Sequence, residues 1–287
     1  MYQFKYPVEQ SDPPLSTRET LPTMYDLPSE DPEEPGLPDE FHALQPQLLS
    51  FTFRPRNYFP ERLFCGSDMN LYYDVHHPNW YKRPDWFGVV GVSRLYDGED
   101  LRLSYVIWQE GFSPFVVVEL LSPGTEKEDL GETTSSVSQP PTKWEVYEQI
   151  LRVPYYVVFD RYTDRLRVFS LVSGSYQEVN LTESKVWIPP LELGLGLWEG
   201  EYQGINRLWL RWYDGEGNLI LTDAESEKQR AAEAQQQAAE AQQQVAEAQQ
   251  QVAEAQQQAA EAQQRAEAAE RRAEMLAQRL RELGIEP

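Results

Sequence analysis

The 287-residue sequence predicts a mixed α/β domain followed by one long helix. A nearly continuous apolar, β-branched run at 115–121 (FVVVELL) is typical of a central buried strand, and shorter strand-like segments lie on both sides of a helical segment. Beyond this domain, a seven-residue repeat starts at Ala231 and predicts the long helix. These observations divide the chain into a leader (1–40), a domain (41–223) and a tail (224–287).

The leader is acidic and interrupted by prolines. It carries ten acidic residues against Lys5 and Arg18, and it has few apolar groups. Burial of so little apolar surface does not offset the entropy that the chain loses on ordering. We therefore predict that residues 1–40 are largely irregular.

The domain is predicted to be rich in sheet, with few helices. Residues 41–51 have helical spacing, and a second helix is predicted over 142–151, with Thr142 as its N-cap and Pro154 beyond its end. Strands are predicted at 62–75, 86–92, 115–121, 155–160, 165–172 and 175–179, followed by a hairpin around 214–218.

The tail repeats the heptad AAEAQQQ with small variations. Its a and d positions are apolar, which predicts a coiled-coil helix over 224–283 that ends at Gly284. At about 1.5 Å per residue this helix reaches roughly 90 Å. Because alanine buries little area, we predict weak homo-oligomerisation, with pairing at Leu276, Leu280 and Leu283.

The net charge limits the partners of this chain. It is −22 overall, and the 25 acidic and 16 basic residues of 41–223 leave the domain at −9. Such a charge disfavours binding of nucleic acid or an anionic membrane through bulk electrostatics. A site for a polyanion therefore requires a metal ion or a local basic cluster. Lys82 and Arg83 are candidate phosphate contacts, and a solvated turn is an equally good interpretation of them.

Two other protein classes are disfavoured by the sequence. No apolar run reaches the roughly 18 to 20 residues that a spanning helix needs, and the start lacks a secretory pattern, so we expect a cytoplasmic protein. The single cysteine, Cys65, excludes an internal disulfide and a multi-cysteine zinc site. Alone, Cys65 is a weak candidate nucleophile.

Glu119 needs an explanation, because an ionised side chain is costly inside an apolar strand. One interpretation is a strand-end carboxylate that pairs with a nearby base. The other adds Asp85 at the start of another predicted strand, since two carboxylates from neighbouring strands can converge on a hard divalent cation such as Mg²⁺. Lys143 and Tyr147 are four residues apart on the second predicted helix, so they share a face and supply a candidate lysine.

Two further features have an ordinary and a functional interpretation. The loop SPGT at 122–125 either offers backbone N–H groups to a phosphate or makes a turn, and we favour the turn. His76 and His77 are candidate general bases or metal ligands, but a loop-capping pair is the preferred interpretation.

The order of these motifs resembles the Uma-type family of restriction endonucleases, which is abundant in cyanobacteria. The resemblance covers 41–223, and that family is similar in fold to the PD-(D/E)XK nucleases. It implies a restriction-endonuclease-like mixed sheet flanked by helices, and a Gln- and Ala-rich coiled-coil tail is a frequent companion. The matching motifs are PD at 84–85, ELLSPGT at 119–125, Asp129, K-x-x-x-Y at 143–147 and YYVVFD at 155–160.

The resemblance implies that Asp85 and Glu119 bind Mg²⁺ or Mn²⁺ and that Lys143 assists catalysis on DNA. Leu121 stands where the wider nuclease pattern has its lysine, two positions after the glutamate, and Lys143 matches the helix lysine of the family. Asp129 matches the acid that follows the SPGT loop.

Asp129 and Tyr147 are therefore assigned as accessory residues. The stretch between Asp129 and Lys143 is longer than in compact relatives, which leaves the role of Asp129 open.

We therefore expect a metal-dependent DNA endonuclease that hydrolyses phosphodiester bonds, with the tail bringing two copies to one duplex. The alternative is a non-catalytic, nuclease-like scaffold that recruits a partner through its coiled coil, and the displaced lysine and acidic surface favour it. A structural protein whose tail is the functional part ranks last.

Overall fold

The computed structural model describes residues 14–23, 40–121, 126–133, 139–282 and 284. Much of the acidic leader and the predicted turn at 122–125 lie outside these residues. The chain forms two compact units, Met1–Thr222 and Asp223–Pro287.

The first unit combines strands with mostly short helices. Its helices are α1 (Thr17–Thr20), α2 (Glu40–Thr52), α3 (Ile107–Glu110), α4 (Glu126–Asp129) and α5 (Lys143–Glu145), the last of which continues into a π-helical turn (Val146–Ile150). Short 3-10 turns lie at Pro60–Arg62 and Pro189–Leu191. Its strands are β1 (Leu63–Gly66), β2 (Leu71–Tyr72), β3 (Tyr81–Lys82), β4 (Trp86–Val90), β5 (Tyr105–Val106), β6 (Val116–Leu120), β7 (Tyr155–Asp160), β8 (Arg165–Val172), β9 (Ser175–Glu178), β10 (Lys185–Ile188), β11 (Leu193–Tyr202) and β12 (Ile205–Tyr213).

The central sheet contains six strands in the order β1–β4–β6–β7–β8–β9. Strands β6 and β7 are parallel, and the other neighbouring pairs of this sheet are antiparallel. Two three-stranded sheets, β10–β11–β12 and β3–β2–β5, complete the unit. The mixed α/β architecture with a mixed sheet is therefore confirmed.

Strand β6 is buried on both faces, as its continuous apolar run predicts. Val118 and Leu120 pack in the core that includes residues of α2 and β12, whereas Val117 and Leu121 pack in the core that includes the π-helical turn. Successive side chains of a strand point to opposite faces. Glu119 therefore faces the second core.

Helix α2 is fixed to β12 by one buried glutamine. The Gln45 side chain donates to the Leu210 carbonyl oxygen and accepts from the Leu210 N–H, both at 2.8 Å. This amide satisfies both backbone groups of a buried residue, which would be costly to leave unpaired. It therefore sets the position of α2 and of the residues at its N-terminal end.

Thr142 is the N-cap of α5, as predicted. Its hydroxyl accepts from the Glu145 N–H at 3.2 Å, and the Glu145 carboxylate accepts from the Thr142 N–H at 2.8 Å, which is a complete capping box. The predicted helix differs in one respect, because its second half is a π-helical turn.

The sheet β10–β11–β12 contains strands that the sequence did not predict, whereas the predicted hairpin around 214–218 is present, since Tyr213 at the end of β12 bridges Leu219. Glycines at 194, 196 and 200 weaken the strand signal of β11. In the structure, Trp198 lies over Gly200, so a large neighbour replaces the missing side chain. The two-residue turn Gln203-Gly204, with φ of 52° and 77°, joins β11 to β12. The predicted strand at 62–75 is likewise divided into β1 and β2.

Part of the predicted leader is held against α3. The Trp108 indole N–H donates to the Pro22 carbonyl oxygen at 2.7 Å, and Gln109 Nε2 donates to the Leu21 carbonyl oxygen at 3.1 Å. These bonds hold the two residues that directly follow α1 against α3, in a segment that the sequence predicts to be irregular.

The second unit is the single helix α6 (Asp223–Glu282), and Gly284 beyond it has a φ of 75°. Its glutamines donate to glutamates four residues later, as Gln236 does to Glu240 and Gln243 to Glu247. The predicted long helix is confirmed, and its coiled-coil pairing stays a prediction. Among the described helices, none is both long enough and apolar enough to cross a membrane.

Candidate functional site

Glu119 is the centre of a buried polar cluster on the face of β6 that α5 covers. Its side chain is fully buried. The Tyr147 hydroxyl donates to Oε1 at 2.8 Å, and Lys143 Nζ donates to Oε2 at 3.0 Å. The shared helix face of Lys143 and Tyr147 therefore presents both groups to one carboxylate.

Asp85 stands across from Glu119 at the start of β4. The antiparallel register of β4 and β6 pairs Trp86 with Val118, so the preceding and following residues face each other. Asp85 Oδ2 accepts from the Leu120 N–H at 2.6 Å, and the Asp85 N–H lies 3.5 Å from Glu119 Oε2. The structure thus brings together the two acids that the sequence paired.

Asp129 joins the cluster through the same lysine. Lys143 Nζ lies 2.8 Å from Asp129 Oδ1, and the side chain of Asp129 is 1% exposed. The Tyr156 hydroxyl donates to the Asp129 carbonyl oxygen at 2.8 Å, which fixes the end of α4 against β7. The long stretch before Lys143 therefore does not keep Asp129 away from the cluster.

The cluster has more negative than positive groups. Burial raises the pKa of Glu119 to about 8, an effect that Lys143 opposes and that Asp129 and Asp85 reinforce. Burial also raises the pKa of Asp85, although the Leu120 N–H opposes that shift. The electrostatic environment of these carboxylates therefore favours an additional cation.

Lys143 stays protonated in this environment. Burial acts to lower its pKa, but Glu119 and Asp129 outweigh burial and hold the pKa above its usual value. Lys143 is consequently a cation and not a general base at neutral pH. The pKa of Tyr147 is raised by burial and by Glu119, so this hydroxyl acts as a hydrogen-bond donor.

His42 is a neighbour of the cluster that the sequence did not identify. Its Nε2 lies 3.0 Å from the Leu120 carbonyl oxygen, on the peptide segment that also holds Asp85. No spacing rule connects residue 42 with residue 120, because the docking of α2 creates this contact. The sequence also did not identify Tyr156, because its contact with Asp129 joins β7 to α4.

The other sequence candidates have ordinary surroundings. Lys82 Nζ donates to Glu128 at 3.2 Å, next to Asp129 on α4, and Arg83 Nε lies 2.7 Å from an Asp68 carboxylate oxygen. Their predicted phosphate contacts stay predictions.

The histidine and cysteine candidates are also accounted for locally. His77 Nδ1 lies 2.7 Å from Asp74 Oδ2, and the Asp74 carboxylate also accepts from the His76 N–H. Burial raises the pKa of the Cys65 thiol to about 12, which disfavours the thiolate that a nucleophile needs.

The donor chemistry of the site fits a hard divalent cation. Asp85 and Glu119 supply carboxylate oxygens, and each oxygen that accepts one hydrogen bond has a second lone pair. Mg²⁺ is commonly held by one or two carboxylates and several waters. Within the described parts of the chain, no three His, Cys, Asp or Glu side chains form a metal-binding group. A metal here would therefore depend on this pair and on water.

Comparison with known proteins identifies one family. The family model described as "Uma2: Putative restriction endonuclease" matches residues 16–206. This span includes Asp85, Glu119, Asp129 and Lys143, and it starts inside the predicted leader. No curated protein matches the chain.

Proposed function

We propose, because the chain belongs to the Uma2 family, that it is a metal-dependent DNA endonuclease with a restriction-endonuclease-like fold. The supporting observation is the pairing of Asp85 with Glu119 on adjacent strands, with Lys143 and Tyr147 on Glu119. Glu119 is buried and Asp85 is half-buried. A pair of facing carboxylates beside a lysine can hold a metal ion that assists phosphodiester hydrolysis.

Asp85 and Glu119 would hold Mg²⁺ or Mn²⁺. When bound, the metal would polarise the phosphate and lower the pKa of a water ligand. Groups of this chain would hold the two carboxylates in place for the metal. The Leu120 N–H and the Tyr147 hydroxyl orient the two carboxylates.

Lys143 would stabilise charge. In hydrolysis, the oxygen of a water forms a bond to phosphorus and the bond to the leaving sugar oxygen breaks, which concentrates negative charge on the phosphate. A protonated lysine at this site offsets that charge and orients the water. Asp129 positions Lys143 through their 2.8 Å contact.

Duplex DNA is the proposed substrate, and homo-oligomerisation through α6 would bring two sites to one duplex. The apolar a and d positions of the heptads support this assembly.

The test of catalysis is the nicking of supercoiled plasmid with Mg²⁺ or Mn²⁺. We expect Glu119→Gln and Asp85→Asn to lower the rate by at least about 100-fold, because each removes a carboxylate charge from the metal pair. Glu178→Gln is the matched control, since Glu178 is a β9 surface glutamate paired with Arg167, and it should cleave at the wild-type rate. Equal rates for all three variants would refute the proposal.

Calorimetric titration of the same proteins separates the endonuclease from the scaffold. The endonuclease is supported if the wild-type protein binds Mn²⁺ and cleaves DNA and the Asp85→Asn, Glu119→Gln double variant does neither. Binding without cleavage, or the absence of both, favours the non-catalytic scaffold.

A further inference from the structure

The backbone of Leu120, the last residue of β6, is bonded on the β4 side by side chains instead of by a strand. The register of β4 and β6 pairs Trp86 with Val118, so its continuation places Pro84 opposite Leu120. Proline has no N–H to donate to the Leu120 carbonyl oxygen, and the Pro84 carbonyl oxygen accepts from the Asp68 N–H at 3.1 Å. The two hydrogen bonds that a strand would give Leu120 must therefore come from elsewhere.

Asp85 and His42 supply these two hydrogen bonds. Asp85 Oδ2 accepts from the Leu120 N–H at 2.6 Å, and His42 Nε2 lies 3.0 Å from the Leu120 carbonyl oxygen. Because a carbonyl oxygen only accepts, Nε2 carries the hydrogen, which is possible in the neutral and in the protonated ring. A candidate metal ligand and a histidine are thus fixed to one residue, directly after Glu119.

Helix α2 holds His42 at this position. On one side of His42, the Phe41 ring is buried and stacks on the Trp209 ring, with 5.8 Å between the centroids. On the other side, Gln45 is bonded to both backbone groups of Leu210 at 2.8 Å. The imidazole therefore comes from a packed helix, and groups on packed elements are held more precisely than groups on loops.

Loss of this contact would affect the carboxylate pair. Leu120 directly follows Glu119 and its N–H orients Asp85, so a shift at the end of β6 changes the separation of the two carboxylates. Burial raises the pKa of Asp85, and His42 is among the groups that oppose this shift, so the ring lies within electrostatic reach of Asp85. Removal of groups that orient metal ligands typically weakens metal binding by about 10- to 100-fold.

We propose that His42 is a positioning residue of the candidate site. By donating to the Leu120 carbonyl oxygen, it fixes the end of β6 and with it the geometry in which Asp85 and Glu119 bind a divalent cation. This inference deepens the proposed function and rests on it for the metal, whereas the hydrogen bond itself is testable without metal.

The first test is amide hydrogen exchange of the full-length protein in EDTA, measured by mass spectrometry on peptides that cover 116–121. His42→Phe keeps an aromatic ring and removes the donor, so we expect exchange at the Leu120 amide to become about tenfold faster. His42→Gln places a side-chain N–H at a similar reach and should keep the wild-type rate.

The second test is calorimetric titration of Mn²⁺ into the same proteins. We expect His42→Phe to bind Mn²⁺ about tenfold more weakly, and His42→Gln to stay within about threefold of the wild type. Because His42 acts through the carboxylates and not on the phosphate, plasmid cleavage by His42→Phe should return to the wild-type rate at saturating Mn²⁺.

Gln47→Met is the matched control on the same helix. Gln47 Oε1 accepts from the Tyr202 hydroxyl at 3.0 Å, so this variant also loses a hydrogen bond between α2 and another element, but one that does not involve Leu120. We expect its exchange at 116–121 and its Mn²⁺ affinity to equal those of the wild type.

Three results would overturn the inference. They are an unchanged Mn²⁺ affinity in His42→Phe, an equal change in the control, and a loss of cleavage that persists at saturating Mn²⁺, which would indicate that His42 contacts the phosphate itself. A wild-type protein that binds no Mn²⁺ refutes the proposed function and the metal part of this inference together. Normal Mn²⁺ binding by His42→Phe, in contrast, refutes this inference alone.

Discussion

In the described part of the first unit, the buried charges around Arg102 and those around Glu119 are neutralised to different extents. Arg102 and Glu110 form a bidentate pair at 2.7 Å and 2.9 Å, and the guanidinium also donates to two backbone carbonyl oxygens. Around Glu119, in contrast, the ammonium group of Lys143 pairs with the carboxylates of both Glu119 and Asp129, and Asp85 brings a third carboxylate next to them. The first group is balanced and the second is not.

This difference separates a structural pair from a candidate functional site. The Arg102 guanidinium also lies 4.4 Å from the centroid of the Phe64 ring, so its charge is surrounded by favourable partners within the fold. A surplus of buried negative charge destabilises a fold unless a cation completes it, and such surpluses are common at active sites. The imbalance around Glu119 is therefore a stronger functional signal than burial alone.

Breaking the balanced pair should have the largest effect. Arg102→Met leaves the Glu110 carboxylate buried without its partner, so the free energy of unfolding should fall by about 3–5 kcal/mol. Urea denaturation measures this change. Arg167→Met removes the more exposed pair with Glu178 and should cost at most about 1 kcal/mol. Similar losses for both variants would contradict the comparison.

The cluster around Glu119 should make the free energy of unfolding depend on pH. Because the folded protein raises the pKa of Glu119 to about 8, the native state binds a proton more tightly than the unfolded chain. Stability should therefore fall as pH rises from about 5 to 8 without divalent metal, by at most about 1.4 kcal/mol per pH unit from this group.

Glu119→Gln removes this titration. The unfolding free energy of the wild type should therefore fall relative to that of the variant as pH rises. Denaturant titrations at pH 5, 6.5 and 8 measure it. Glu178→Gln is the control, since its hydrogen bond with Arg167 keeps the pKa of Glu178 below its usual value and outside this window. A constant difference for Glu119→Gln would remove the argument for uncompensated charge.

Removal of the tail should have the smallest effect on the first unit. Helix α6 has no buried residue, and its glutamates accept hydrogen bonds from its own glutamines. Deletion of residues 223–287 should therefore change the melting temperature of the first unit by less than about 2 °C, which corresponds to at most about 1 kcal/mol. Differential scanning calorimetry measures this, and aggregation of the shortened protein would contradict the boundary.

Local signals in the sequence located several elements closely. The β-branched run and its turn signals predict β6, β7 and β8, and Thr142 with Glu145 three residues later forms the capping box that starts α5. The pairing of Asp85 with Glu119 was also predicted from the sequence, because each acid lies in or next to a strand that its apolar residues predict.

Other features had no local signal. In the sheet β10–β11–β12, Trp198 covers Gly200, and the contact that holds α2 joins Gln45 to Leu210 across 165 residues. The arrangement of Arg161 and Arg207 on Phe41 combines three separate segments of the chain. Propensity and periodicity carry no information about such contacts.

The sequence by itself therefore determined the long helix α6, the principal strands and the residue types of the candidate site, because these depend on interactions within a few residues. Only the tertiary structure decided that one lysine serves Glu119 and Asp129 together and that His42 reaches Leu120. The physical reason is that packing, not chain proximity, sets which distant groups share a buried, low-dielectric space, and that space determines their charge state.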